Sequence, residues 1–119
     1  MHELSIAIDA IDLVSANLAQ YPGARVEIVR LSVGIYSGID PRALEFCFPL
    51  ASEGTPVEGA KLHIETIPLR IQCHECEADP VISDSLECPL CGSPRITVVS
   101  GRDLTLTSLD LILPDEEDA

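Results

Sequence analysis

Cys73-His74-Glu75-Cys76 and Cys88-Pro89-Leu90-Cys91-Gly92 are two thiol pairs separated by eleven residues. Each Cys-x-x-Cys turn can present two thiolates to one cation. Four thiolates in a tetrahedron suit Zn²⁺. The gap is shorter than the usual range, so the module must be small. Pro89 stiffens the second turn, and Gly92 permits the positive φ that lets the chain double back. A rubredoxin-like iron site, two disulfides or redox-active dithiols would use the same spacing. A thioredoxin-type motif would open a helix within a βαβ pattern, and nothing here reads that way. With all four positions supplied by protein, a zinc ion here is structural rather than catalytic.

The amino end holds a second set of donors, Met1-His2-Glu3. A bulky second residue should leave Met1 uncleaved, so the free amine belongs to Met1. That amine and the His2 amide nitrogen can close a five-membered chelate ring. The His2 amide and its own Nδ1 can close a six-membered ring, and Glu3 can add an oxygen. Three nitrogens in one plane suit a d⁸ or d⁹ ion, Ni(II) or Cu(II). The amine titrates near neutrality, at about 7.7–8.0, so such binding would depend on pH. A frayed polar end before a helix is the competing reading.

These donors need elements to position them. Residues 4–20 read as an amphipathic helix on Leu4, Ile8, Ile11, Ser15 and Leu18, widened by Ala7, Val14 and Ala19. Tyr21-Pro22-Gly23 stops it. Ala24 to Val33 reads as a strand, with Val26 and Ile28 on one face and Val29, Leu31 and Val33 on the other. The change of face suggests a bulge or a strand covered on both sides. Asp40-Pro41 opens a second helix, with a capping carboxylate and proline at N1. Leu44, Phe46, Cys47, Phe48 and Leu50 are expected to pack it, and Pro49 to kink or end it. Cys47, between two phenylalanines, reads as a core residue. Residues 61–67 alternate as a half-buried strand with His63 on its polar side. Residues 96–99 and 103–113 form a third strand, or a strand broken at Gly101.

The resulting class is α+β: a small three-stranded sheet with two helices and an inserted zinc-ribbon module. The expected division is 1–68 plus 95–113 for the α+β domain, 69–94 for the ribbon insert, and 114–119 for an acidic, disordered tail. A segment as short as the insert cannot bury enough apolar surface to fold unaided, so metal must stabilise it. The chain has 119 residues, with two Tyr, two Phe and no Trp, so the core must be aliphatic.

The formal net charge is −13, from 20 acidic and 7 basic residues. That weighs against nucleic acid, whose phosphates need Lys and Arg. No apolar run is long enough to span a bilayer. Reduced thiols with metal-type spacing and an opening without a basic n-region make a cytoplasmic location the expectation. No nucleophile–base pair stands out, so an enzyme is not expected. An interaction adaptor stapled by zinc remains the alternative to a metal carrier.

Three stretches carry a resemblance to a known family. The chain opens Met1-His2-Glu3-Leu4-Ser5-Ile6-Ala7, and its middle runs from Val33-Gly34-Ile35-Tyr36 through Asp40-Pro41-Arg42-Ala43-Leu44 to Phe48. Cys88-Pro89-Leu90-Cys91-Gly92-Ser93 is followed by Val99-Ser100-Gly101-Arg102-Asp103-Leu104. In order and spacing the sequence resembles the HypA/HybF hydrogenase-maturation nickel metallochaperones. The resemblance implies transported Ni(II) at Met1, His2 and Glu3, with His2 essential, and structural Zn(II) on Cys73, Cys76, Cys88 and Cys91. It implies the GTPase HypB and the [NiFe]-hydrogenase large subunit as partners. Some relatives also supply nickel to urease, which adds urease accessory proteins to the expected partners. Either a monomer or a homodimer fits. Ile35-Tyr36 departs from the usual Glu-Leu after that glycine, and Pro49 occupies a position usually compatible with helix. Histidines beside the zinc cysteines couple that site to pH in some relatives, and here His74 alone is so placed.

Overall fold

The computed structural model describes residues 2–114, with the backbone alone described at His2. The acidic stretch 115–118 and Met1 lie outside the described residues. Elements follow in the order α1 (His2–Asn17), a 3₁₀ turn (Leu18–Gln20), β1 (Arg25–Gly34), α2 (Pro41–Ser52), β2 (Lys61–Ile67), β3 (Arg70–Cys73), β4 (Val81–Ile82), β5 (Ile96–Ser100) and β6 (Leu104–Ile112). Two compact units result. One takes in the chain up to Leu31, Asp40–Ile64 and the chain from Leu106; the other takes in Ser32–Ile39 and Glu65–Thr105.

In the first unit α1 packs against α2. Its buried positions are Ala7, Ala10, Ile11 and Val14, spaced i, i+3, i+4, i+7. Leu4 and Ile8, expected on this stripe, are instead exposed. The small side chains of Ala7 and Ala10 form the inner surface. The α-helix ends at Asn17, whose side chain turns back to Leu13 O at 2.8 Å.

Asp40 caps α2 through a bond from Arg42 N to its Oδ1 at 3.0 Å, with Pro41 in the first turn. Leu44, Phe48 and Ser52 are its buried residues, one every fourth position. Phe46 lies about 200° around the helix from Leu44. It is therefore 75% exposed, and Leu50 is 58% exposed, contrary to the expectation that both pack inward. Pro49 does not end the helix, which runs on to Ser52. The proline sacrifices one backbone bond on an exposed face. Val57 is fully buried in the loop after α2, a core position that loop composition concealed.

The first sheet has the order β2-β1-β6. Val26, Val29, Leu31 and Val33 of the central strand are buried, so the burial changes phase between residues 26 and 29. Gly34 N bonds Asp103 O at 2.8 Å, and Thr107 Oγ1 bonds Arg30 O at 3.1 Å. The numbering falls along β1 as it rises along β6, so this pair is antiparallel. Arg30 and Asp110 form an ion pair across the same two strands.

The second sheet has the order β4-β3-β5, with both pairs antiparallel. Ile71 lies opposite Val81 and Val98, and Cys73 opposite Ile96. β5 therefore does not continue into β6 as one strand; the two lie in different sheets, separated at Gly101. Leu69, Ile71, Cys73 and Cys88 form the small core here, flanked by Val81, Ile96 and Val98. At the root of this unit the backbones nearly touch. A Cβ at Gly34 would lie 2.3 Å from the Gly101 carbonyl, and one at Gly101 would lie 2.6 Å from Leu69 Cα. Gly101 also sits at φ +103°, a conformation that suits glycine.

Candidate metal centre

Cys73 ends β3 at the sheet's central strand, which fixes the first thiol. The chain then turns tightly, so that Glu75 N and Cys76 N approach Cys73 Sγ at 3.3 and 3.5 Å. The second knuckle is closed by Cys88 N to Ser93 O at 2.9 Å and Gly92 N to Cys88 O at 2.8 Å. Gly92 adopts φ +77°, the positive angle its turn requires.

Ser83 steadies the approach to Cys88. Its buried hydroxyl donates to Ser85 O and Glu87 O at 2.8 and 3.0 Å and accepts from Ser85 N at 3.2 Å. Its backbone N bonds Leu69 O at 3.0 Å. Sequence reading passed over this serine. A Ser-x-Ser turn was the available local signal.

The four thiols converge. Cys73 Sγ lies 3.6 Å from Cys91 Sγ, and Cys76 Sγ lies 3.7 Å from Cys88 Sγ. All four sulfurs fall within 4.8 Å of one another. A Zn–S bond of about 2.3 Å implies sulfurs about 3.8 Å apart in a regular tetrahedron. The cluster thus has the dimensions of a Cys₄ zinc site. Cys73 and Cys88 are buried, while Cys76 and Cys91 are exposed.

The thiols also influence one another's protonation. The backbone N–H groups of Cys91 and Leu90 hold the Cys88 thiol down at about 7, against desolvation. At Cys91 the Ser93 N–H pulls the other way, but facing sulfurs and desolvation push the thiol up to about 12. At Cys76 the Ala78 N–H likewise favours the thiolate, yet Cys73, desolvation and Cys88 leave its pKa raised. Four such groups resist ionising together, and a divalent cation supplies the charge that permits it. The donor set fits structural zinc.

His74 is not among the clustered donors. Its Nε2 is 2.6 Å from Thr97 Oγ1, which engages it with β5. Cys47 is half-buried and His63 exposed, and neither belongs to the group. Of the amino-terminal donors, Met1 and the His2 side chain lie outside the described residues. Glu3 stands in the first turn of α1, and its Oε2 accepts from Asp40 N at 3.2 Å.

Known proteins match this sequence over nearly its whole length. The hydrogenase maturation factor HypA of Nitrosospira multiformis is 41% identical over 113 residues, spanning 94% of this chain and 98% of that protein. The hydrogenase maturation factor HybF of Klebsiella pneumoniae is 38% identical over 111 residues, spanning 92% and 98%. The solution structure of the Ni metallochaperone HypA from Helicobacter pylori has the same fold, with a TM-score of 0.69 at 22% identity. That likeness covers 93% of this chain and 97% of the other. Residues 1–111 match the family model described as hydrogenase/urease nickel incorporation, metallochaperone, and the chain belongs to that family, HypA.

Proposed function

We propose that this protein carries Ni(II) at its amino end and hands it on for assembly of the [NiFe]-hydrogenase active site. The match of residues 1–111 to a nickel-incorporation family carries this reading. The Met1 amine, the His2 amide and imidazole, and Glu3 beside them form the cargo site. A site with few donors at a chain end releases its ion by ligand exchange, which suits a carrier. Zn(II) on Cys73, Cys76, Cys88 and Cys91 is structural, and the protein is not an enzyme.

The GTPase HypB and the hydrogenase large subunit are the partners on this reading, with urease accessory proteins a further destination. Among the described residues no helix is long and apolar enough to cross a membrane. A cytoplasmic location agrees with the reduced thiols a Cys₄ site needs.

The test is metal analysis and nickel titration of untagged protein retaining Met1, beside His2→Ala. One zinc per chain in both, with nickel bound by the native protein alone, supports the reading. Nickel binding unchanged by His2→Ala refutes it and leaves a zinc-stapled adaptor.

A further inference from the structure

Cys76 and Cys91 are the two exposed thiols of the cluster, each the last residue of its Cys-x-x-Cys turn. The chain leaves both turns through a residue at positive φ. After Cys91 that residue is Gly92, at +77°, and nothing lies within 4 Å of where its Cβ would be. Glycine is there for its backbone alone. After Cys76 it is Glu77, at +53°, the one residue other than glycine with positive φ among the described residues. A side chain at that angle crowds the neighbouring carbonyl, a cost that glycine avoids. The surroundings keep it there. His74 N bonds Arg95 O at 3.0 Å ahead of the bend, and Gln72 Nε2 bonds Ala78 O at 2.5 Å behind it. With both ends fixed, Glu77 absorbs the bend.

The two turns are also closed differently. Gly92 N and Cys88 N close the second on backbone oxygens, at 2.8 and 2.9 Å. In the first, Glu75 N and Cys76 N point at the Cys73 sulfur, so its closure depends on that thiolate. Resting on the structural-zinc reading above, we propose that the metal centre opens at Cys76. The strained turn frees this thiolate first, while Cys73, Cys88 and Cys91 keep their places. Cys73 and Cys88 belong to the buried core, so opening at Cys76 leaves that core intact. The centre can thus change shape at one arm without coming apart.

Untagged, zinc-loaded native protein, Glu77→Gly, Glu77→Gln and Gly92→Ala are compared. A brief pulse of N-ethylmaleimide, then digestion and mass spectrometry, ranks the cysteines by reactivity, with Cys47, outside the cluster, as a common reference. A chromophoric chelator follows zinc release, and circular dichroism verifies folding. In native protein Cys76 is expected to be labelled at least about threefold faster than Cys91. Glu77→Gly removes the strain and is expected to slow zinc release about threefold, with Cys76 no longer leading. Glu77→Gln loses the charge but keeps a side chain at that φ, and is expected to behave as native. Gly92→Ala puts the same demand on the second turn and is expected to bring Cys91 level with Cys76. Labelling of another cluster cysteine ahead of Cys76 in native protein overturns the proposal. So does native zinc release in Glu77→Gly, or a native labelling order in Gly92→Ala. Slowing in Glu77→Gln equal to that in Glu77→Gly makes charge the cause and overturns it as well. Native protein that takes up no zinc is a separate result; it removes the centre, and the proposal with it.

Discussion

Cys73 and Cys88 do two things at once: each brings a sulfur to the cluster, and each is part of the small buried core. Cys76 and Cys91 are exposed, so their contribution is to the metal rather than to packing. Cys91→Ser should therefore abolish stoichiometric zinc, while Cys73→Ser should in addition disrupt packing around Ile71. Zinc content and thermal unfolding distinguish the two. Protonation gives a second prediction. With Cys91 pushed up to about 12 and Cys76 also raised, both are protonated near neutrality before metal enters. Zinc must displace at least those two protons. Apparent zinc affinity should then rise by at least about a hundredfold per pH unit across neutrality and fall at least as steeply as pH drops. Competition against a chelator at several pH values measures that slope.

At the scale of elements, the sharpest constraint is where Gly34 and Gly101 cross. Gly101→Ala would drive a methyl to 2.6 Å from Leu69 Cα and 2.7 Å from Pro68 O, at a φ that L-residues rarely adopt. Backbone cannot retreat as a flexible side chain does, so a loss above about 2 kcal/mol is expected in chemical denaturation. Leu44 faces the core from α2 with no exposure. Leu44→Ala should cost about 2–5 kcal/mol, whereas Phe46→Ala, at an exposed position, should change stability by no more than about 0.5 kcal/mol. That contrast tests which face of α2 is buried, a point on which its apolar sequence misleads.

For the whole molecule, the second unit is centred on a small buried cluster of Leu69, Ile71, Cys73 and Cys88, two of which are cysteines of the metal site. Apolar burial on that scale does not hold a unit of this length together, so stability must come from the metal. A strong zinc chelator should lower the melting temperature and speed amide exchange in β3 and β5 most. Charge sets the molecule's outward behaviour. At −13 the protein should not retard a DNA fragment in a low-salt gel, although zinc ribbons often touch nucleic acid.

The sequence by itself determined what depends on short spacing. Two residues between cysteines set a turn that offers two sulfurs, so the donor set was legible without coordinates. Asp40-Pro41 specified a helix start, and Tyr21-Pro22-Gly23 a helix stop, because caps and turns are local. Hydrophobic periodicity found α1 and the half-buried β2 for the same reason. Tertiary structure decided which partners those pieces meet. β5 and β6 look alike in sequence, yet one pairs with β3 and the other with β1, since strand partners are chosen by contacts distant along the chain. Leu4, Ile8, Phe46 and Leu50 are apolar and still face outward, because a helix buries the stripe its neighbours cover. Val57 became core although its loop looks polar, and Ser83 was buried because its hydroxyl finds three backbone partners there. The bond from Asp40 to Glu3 is of the same kind: no local pattern encodes it, because donor and acceptor meet only once α1 and α2 have packed.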